Sequence, residues 1–186
     1  MNEQAINWLG NACHMTLFGV TIQQKWQDLW LWEKLLNEYE VKTIIEIGTK
    51  HGGLSNYLLC QAIQRKLGFA TFDIEPYAAN RLATHLGLQN NFMLGNVFGN
   101  DCAVVRALLK TCAHPVVLLC DGGDKRMEFD RLVPELQPGD IVGVHDWGME
   151  FFEVDVCHAE LLAPILWNEC EALDSWTRFW MRRELE

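Results

Sequence analysis

Residues 44–55 read Ile44-Ile45-Glu46-Ile47-Gly48-Thr49-Lys50-His51-Gly52-Gly53-Leu54-Ser55. The β-branched run from Val41 to Ile47 stops at Gly48 and reads as a buried strand. Gly53 to Lys66 reads as a helix, because Leu54, Leu58 and Ala62 recur every four residues and share one face. Strand, glycine-rich turn and helix in succession open a βαβ unit. Its glycines let a ligand approach the backbone, and the first helical turn offers free N–H groups. The turn is not a dinucleotide fingerprint, since Lys50 stands where the second glycine belongs, and it lacks the Gly-Lys-Ser/Thr ending of a P-loop.

The same alternation continues outward. Phe69 to Ile74 reads as a second strand, Tyr77 to Leu86 as a helix, Asn91 to Leu94 as a short strand, and about Asp101 to Lys110 as a helix. Val116 to Cys120, introduced by Pro115 and ended by Asp121-Gly122-Gly123, is the clearest strand of all. Phe129, Leu132, Val133 and Leu136 mark an amphipathic helix ended by Pro138-Gly139, and Asp140 to Val144 is a fifth strand. Further on, a helix is expected between Val156 and Asn168, with Pro164 blurring its limits. Cys170 to Leu173 and Thr177 to Arg182 are expected to form a hairpin. This pattern predicts an α/β fold with parallel βαβ units and helices on both faces. Upstream, Thr16 to Val20 leads into a strongly apolar helix, Gln23 to Tyr39, carrying Trp26, Trp30 and Trp32. Either the sheet or another copy of the chain must cover it, so a homo-oligomer joined through this helix is one expectation.

The chain has 186 residues, 49% of them hydrophobic, which suits one domain: a helical segment 1–40, a core 41–150 and a C-terminal helix and hairpin 151–186. Fifteen Lys and Arg against 25 Asp and Glu leave a net charge of −10, which argues against general nucleic-acid binding. No apolar run approaches the roughly 20 residues of a membrane span, and Met1-Asn2-Glu3-Gln4 does not start like a secretory signal. The seven cysteines lack any C-x-x-C pair, which argues against disulfides or a zinc cluster. The expected location is the cytoplasm.

Asp73 follows Gly53 by twenty residues and ends the second strand, where an acid can accept hydrogen bonds from both hydroxyls of a ribose. Glu46, at the mouth of the first strand, has the polarity to meet a cationic ligand or an ammonium group. Together these residues suit an adenosine-type ligand. The Glu46-x-Gly48-x-x-x-Gly52 turn, Phe72 to Glu75 (FDIE), Cys120 to Gly123 (CDGG) and Val144 to Asp146 (VHD) resemble a class I S-adenosylmethionine-dependent methyltransferase. From Phe18 to Gln24 through Asp121 to Arg126, Pro138 to Asp140 and the VHD end, order and spacing are similar to the cephalosporin hydroxylase-like and sugar O-methyltransferase group. The resemblance implies a doubly wound, Rossmann-like, mostly parallel sheet of seven strands with a C-terminal antiparallel hairpin. It also implies that Gly48 and Gly52 line the methionine part of the cofactor with Glu46 turned towards it. Asp73 would hold the ribose, and Asn96 and Val97 would border the adenine, an amide standing where many relatives have an acid. Thr49, Ile74 and Asp121 join this cofactor-binding set.

Methyl transfer is an in-line displacement, so alignment dominates, and an oxygen acceptor gains from a base or a metal. Asp121, His145 and Asp146 end adjacent strands and can share a divalent cation. His145 replaces an acid of the group's metal-dependent members, which favours Mn²⁺ or Fe²⁺ over Mg²⁺. Without a metal, Asp121 caps the next helix or binds cofactor. Asp124 stands where relatives often have a histidine and can serve as base. Lys125 can do so if burial lowers its pKa, and His145 is the third candidate. His51, inside the turn, either faces the backbone and supports its neighbours or takes part in catalysis. His14, His85, His114 and His158 read as surface or capping residues, and Arg178, Arg182 and Arg183 as a solvated tail or as a site for an acidic acceptor. The expected activity is methyl transfer from S-adenosylmethionine to a hydroxyl of a sugar or other small molecule. A nicotinamide dehydrogenase and a non-catalytic binding protein on the same fold are the rivals; Lys50 and the acidic strand ends count against the first.

Overall fold

A computed structural model describes residues 15–75, 85–99 and 102–184. Its elements are β1 (Met15–Leu17), β2 (Val20–Ile22), α1 (Trp26–Glu38), β3 (Thr43–Ile47), α2 (Gly53–Arg65), β4 (Gly68–Asp73) and β5 (Phe92–Leu94). Then follow α3 (Ala103–Thr111), β6 (Val116–Cys120), α4 (Lys125–Leu132), β7 (Ile141–Val144), β8 (Leu162–Ile165), α5 (Trp167–Ala172) and β9 (Arg178–Arg182). β1 and β2 form a small hairpin of their own. The main sheet has seven strands in the order β5-β4-β3-β6-β7-β9-β8. The first five are parallel, and β9 runs antiparallel to both β7 and β8.

β3 lies at the centre because every one of its residues is buried and it pairs on both sides, with β4 and β6. Alternate side chains feed two cores. Ile44, Val117, Leu119, Ile141 and Phe179 pack under α1 and α2, while Ile45, Ile47, Leu118, Val142 and Trp180 pack under α3 and α4. The sheet is therefore doubly wound, and connections leave β3 and β6 in opposite directions along it. At that switch point the carboxyl ends of the strands open a crevice, the usual ligand site of such sheets.

The apolar helix α1 is covered by the sheet. Leu31, Trp32 and Leu35 are wholly buried, and Trp32 meets Phe179 edge-on at 5.4 Å. Trp30, on the opposite side, is 52% exposed. Lys25 and Asp28 fasten the start of this helix to the turn before β9. Lys25 Nζ donates to Asp174 O at 2.6 Å, and Asp28 accepts from Ser175 Oγ and from the Trp176 backbone N–H.

Four expectations are corrected. The helix between Val156 and Asn168 is replaced by short 3-10 turns, Glu153–Asp155 and Ala159–Leu161, and by strand β8. Pro164 fits there because β8 is the sheet edge, where a missing N–H costs no ladder bond. Cys170 to Leu173 is not a strand; it belongs largely to α5, which buries Cys170 and joins the two antiparallel strands. The helix around Phe129 starts earlier, at Lys125, and gives way at Val133 to a 3-10 turn that contains Pro134. Arg178 is not part of a solvated tail: it is 6% exposed and stacks between Trp147 and Trp167, its carbon Cζ 5.4 Å from each ring. The helix expected over Tyr77 to Leu86 lies mostly outside the described residues.

Candidate functional site

The turn after β3 is built on a glycine that nothing else can replace. Gly48 has φ +102°, and a Cβ there would lie 2.2 Å from the carbonyl oxygen of Asp121. The β3 and β6 mouths thus touch backbone to backbone. Gly53 is equally tight, its Cβ position 2.2 Å from Thr21 O, so the β1–β2 hairpin sits against the start of α2.

Glu46 does not stand open at the strand mouth as its position in the sequence suggests. It is fully buried behind the turn, where one oxygen, Oε2, accepts from Ser55 Oγ at 2.5 Å and Thr71 Oγ1 at 2.7 Å. Thr49 Oγ1 continues this chain to Thr71 Oγ1 at 2.6 Å. Burial pushes the Glu46 carboxyl up to about 8, against the pull of the two hydroxyl bonds and with help from Asp121 and Asp73. Its other oxygen, Oε1, is buried without a partner among the described residues.

Asp73 ends β4 with both oxygens engaged at one lone pair each. Oδ2 accepts from the Lys50 backbone N–H at 2.7 Å and Oδ1 from that of Glu75 at 3.0 Å. Each carboxylate oxygen keeps a second lone pair for a ligand hydroxyl. The bond to Lys50 shows why a lysine is tolerated in the turn: only its backbone is used, at φ +47°, and the side chain is exposed. Beside Asp73, Ile74 is 68% exposed, and Asn96 Oδ1 accepts from the Phe98 backbone N–H at 2.9 Å next to a half-buried Val97. Gly48, Asp73 and Ile74 thus lie together at the β3 and β4 ends, with Asn96 and Val97 following β5, while Thr49 and Gly52 are buried within the turn.

Across the crevice, the ends of β6 and β7 bring Asp121, His145 and Asp146 together. His145 Nδ1 lies 3.1 Å from Asp121 Oδ1 and 3.2 Å from Asp146 Oδ1. Asp146 sits in the left-handed region at φ +60°, which an aspartate tolerates better than most residues and which turns its carboxylate back towards His145. Lys125 reaches the same place from α4, with Nζ 3.0 Å from Asp146 Oδ2, 2.7 Å from Glu150 Oε2 and 3.9 Å from Asp121 Oδ1.

This geometry corrects two of the three candidate bases. Burial pulls the Lys125 ammonium down, but Glu150, Asp121 and Asp146 outweigh it and hold the group charged, well above its ordinary range. Burial likewise lowers His145, yet the carboxylates of Asp121 and Asp146 raise it to about 10, so it is an imidazolium near neutrality and has no lone pair for a substrate proton. His145 and Lys125 in turn overcome the burial of Asp146 and hold its carboxyl far below the usual range. Asp124 is the candidate base left, and one of its oxygens caps α4 by accepting from the Met127 N–H at 3.0 Å. A cavity of about 360 Å³ opens beside it, lined by Gly123, Asp124, Lys125, Arg126 and Glu150.

The residues present fit a divalent cation. Among the described residues, Asp121, His145 and Asp146 offer ligand atoms that all lie within 4.8 Å of one another. Two carboxylates and an imidazole suit Mn²⁺ or Fe²⁺ better than Mg²⁺. Binding would cost His145 its proton and would move Lys125 away from the acids.

Two residues of the site escaped the sequence reading. Glu128 is 1% exposed on α4, accepts from the Gly122 N–H at 3.2 Å and so shapes the Asp121-Gly122-Gly123 turn; burial pushes it up to about 7. Gln24, just before α1, donates from Nε2 to Asp121 Oδ2 at 3.0 Å. No local pattern marks Glu128, and the Phe18 to Gln24 stretch does not say where Gln24 lies, because only the fold carries α4 and the N-terminal segment to the β6 mouth.

The rhamnosyl O-methyltransferase/CmcI family matches residues 10–147, about three quarters of the chain. The chain belongs to that family. It is accordingly an O-methyltransferase of the class I, S-adenosylmethionine-dependent kind, with the seven-stranded sheet that class predicts. No curated protein matches the sequence. Among solved structures it is similar to an apo structure of CmcI, at 14% identity and a TM-score of 0.70, covering 92% of this chain and 77% of that one. A CmcI structure with SAH is similar at 16% identity and a TM-score of 0.63, covering 91% and 81%. A CmcI structure described as Mg-SAM gives 16% and 0.56, covering 71% and 57%. At such identities these likenesses speak for the fold.

Proposed function

We propose that the protein methylates a hydroxyl of a sugar or a similar small polar molecule held in the cavity beside Asp124. The observation that carries this is the cavity's place. It adjoins the Asp121, His145 and Asp146 cluster, and charged and backbone polar groups line it, as a hydroxyl-rich acceptor needs. S-adenosylmethionine, when bound, supplies a methyl group on a positively charged sulfur. The chain's own residues hold the donor's nucleoside through Asp73, with Ile74, Asn96 and Val97 at the adenine. The Gly48 turn, with Thr49, Gly52 and Asp121, meets its methionine end, and Glu46 supports that turn from behind. Asp124 lies where it can take the proton of the attacking hydroxyl, and Lys125 orients Glu150 and Asp146 around that hydroxyl. A divalent cation held by Asp121, Asp146 and His145 would lower the pKa of an acceptor hydroxyl. Alignment of hydroxyl, methyl and sulfur supplies most of the acceleration in such a displacement.

The reading extends to setting. Six cysteines are free among the described residues, which supports a reducing compartment such as the cytoplasm. Among the described residues no helix is long and apolar enough to cross a membrane. The exposed faces of Trp26 and Trp30 support a contact with a second copy, which sedimentation would register.

The test is methyl turnover from labelled S-adenosylmethionine with a panel of sugars and phenols, in the wild type and in Asp124→Asn. Turnover on sugars that falls about 100-fold or more in the variant, with cofactor affinity kept, supports the reading. Turnover confined to phenols, or unaffected by the substitution, rejects the acceptor or the base respectively.

A further inference from the structure

Lys125 is a buried cation that two claimants share. Its side chain is 5% exposed, and Nζ donates to Glu150 Oε2 at 2.7 Å and to Gly122 O at 3.1 Å. The same ammonium pairs with Asp146 Oδ2 at 3.0 Å and feels Asp121 Oδ1 at 3.9 Å. Asp146 and Asp121 are also the carboxylates of the cluster that fits a divalent cation. Such an ion and Lys125 therefore compete for the same oxygens. A buried ammonium cannot simply give up both acids, because an uncompensated charge in a protein interior is strongly destabilising.

Glu150 resolves the conflict. Among the described residues it is the acid outside the cluster that forms an ion pair with Lys125. Its place is set by the loop that carries Asp146. The Asp146 carbonyl oxygen accepts from the N–H groups of Met149 at 3.0 Å, Glu150 at 3.0 Å and Phe151 at 3.3 Å, and Phe151 is wholly buried. The loop after β7 thus closes on its own first residue and returns the Glu150 carboxylate to Lys125. We infer that Glu150 is a positioning residue for the metal site: it keeps Lys125 as a counter-ion, so that Asp146 and Asp121 are free to turn to a divalent cation. Without its charge, the ammonium has only the acids of the cluster and holds on to them. Glu150 acts here through Lys125. The inference rests on the proposed cation site at Asp121, His145 and Asp146.

The test is a double-mutant cycle read as Mn²⁺ affinity by calorimetry at 0.15 M salt, about the ionic strength at which direct attraction between exposed charges is largely screened. Glu150→Gln keeps the shape and an acceptor oxygen and removes the charge. It is expected to weaken Mn²⁺ about tenfold in the wild-type background and by about twofold or less in Lys125→Met, where no ammonium needs a counter-ion. Loss of that size in one background alone is the signature of action through Lys125, which a merely structural role would not produce. Equal losses in the two backgrounds would mean that Glu150 attracts the ion directly, and overturn the inference. Unchanged or tighter binding in Glu150→Gln overturns it as well, since Lys125 would then leave the acids without help. If Lys125→Met does not fold, Lys125→Gln supplies the second background. A wild-type protein that binds no Mn²⁺ would instead refute the cation site itself.

Discussion

Lys125 Nζ lies 3.0 Å from Asp146 Oδ2, inside a pocket where two further carboxylates, Asp121 and Glu150, face the same ammonium. One buried cation, together with His145, thus neutralises the acids that end β6 and β7. It occupies the neighbourhood that a divalent cation would take. Lys125→Met leaves Asp146 with His145 as its remaining cation, and a loss of about 1.5–3 kcal/mol in unfolding free energy is expected by urea titration. The same variant is expected to bind Mn²⁺ about tenfold more tightly, since a competing charge is gone. A variant that binds Mn²⁺ more weakly would show that Lys125 supports the metal rather than competing with it.

Metal removal addresses the cluster directly. After exhaustive chelation, turnover is expected to fall and to return with Mn²⁺ more fully than with Mg²⁺, because the donor set includes an imidazole. Calorimetry in buffers of different ionisation heat should reveal about one proton released per ion bound, from His145. Undiminished turnover without metal would leave the charge of the site to Lys125 and His145 alone.

Asp73 carries the nucleoside prediction. Asp73→Ala removes two charge-assisted acceptors for the ribose, worth roughly 1.5–3 kcal/mol, so S-adenosylhomocysteine affinity should drop about tenfold or more. The backbone bonds from Lys50 and Glu75 are exposed, so the unfolding midpoint should move little. Unchanged affinity would displace the nucleoside from β4.

Glu46 makes stability depend on pH. Its carboxyl titrates at about 8 in the folded chain and near 4.5 when unfolded, so between those values the folded state holds a proton that the unfolded state has released. Stability attributable to Glu46 is therefore full below about 4.5 and falls as pH rises to about 8, by at most about 1.4 kcal/mol per unit. Glu46→Gln, which cannot ionise, should be more stable than the wild type at pH 9 and much closer to it at pH 5. Glu128 and His145 are raised too and have the same sign, so the difference between the two curves is the quantity to read. A constant difference across that range would mean that Glu46 is not desolvated in solution.

The fold was legible where a segment's neighbours in sequence decide its environment. β3, β6 and β7 are short apolar runs buried on both faces, and the residue that ends each one sits at a sheet mouth whatever the rest of the chain does. The C-terminal region was misread for a complementary reason. Pro164 and Cys170 to Leu173 carry no strong period, and their structure follows from which strand is left at the edge of the sheet.

Glu46, Gly48, Asp73, Asp121 and Asp146 could be placed at strand ends from the amino-acid sequence alone, because strand alternation determines topology and topology determines which ends share an edge. Their charge states could not. Whether Lys125 is a base or a fixed cation, whether His145 holds a proton, and whether Glu46 is open or buried depend on distances of about 3 Å between groups that are up to 25 residues apart. Electrostatic energy varies with distance and local dielectric, neither of which is written along the chain. Gln24 is the extreme instance: 97 residues separate it from Asp121, and only the packing of α1 against the sheet brings the two together.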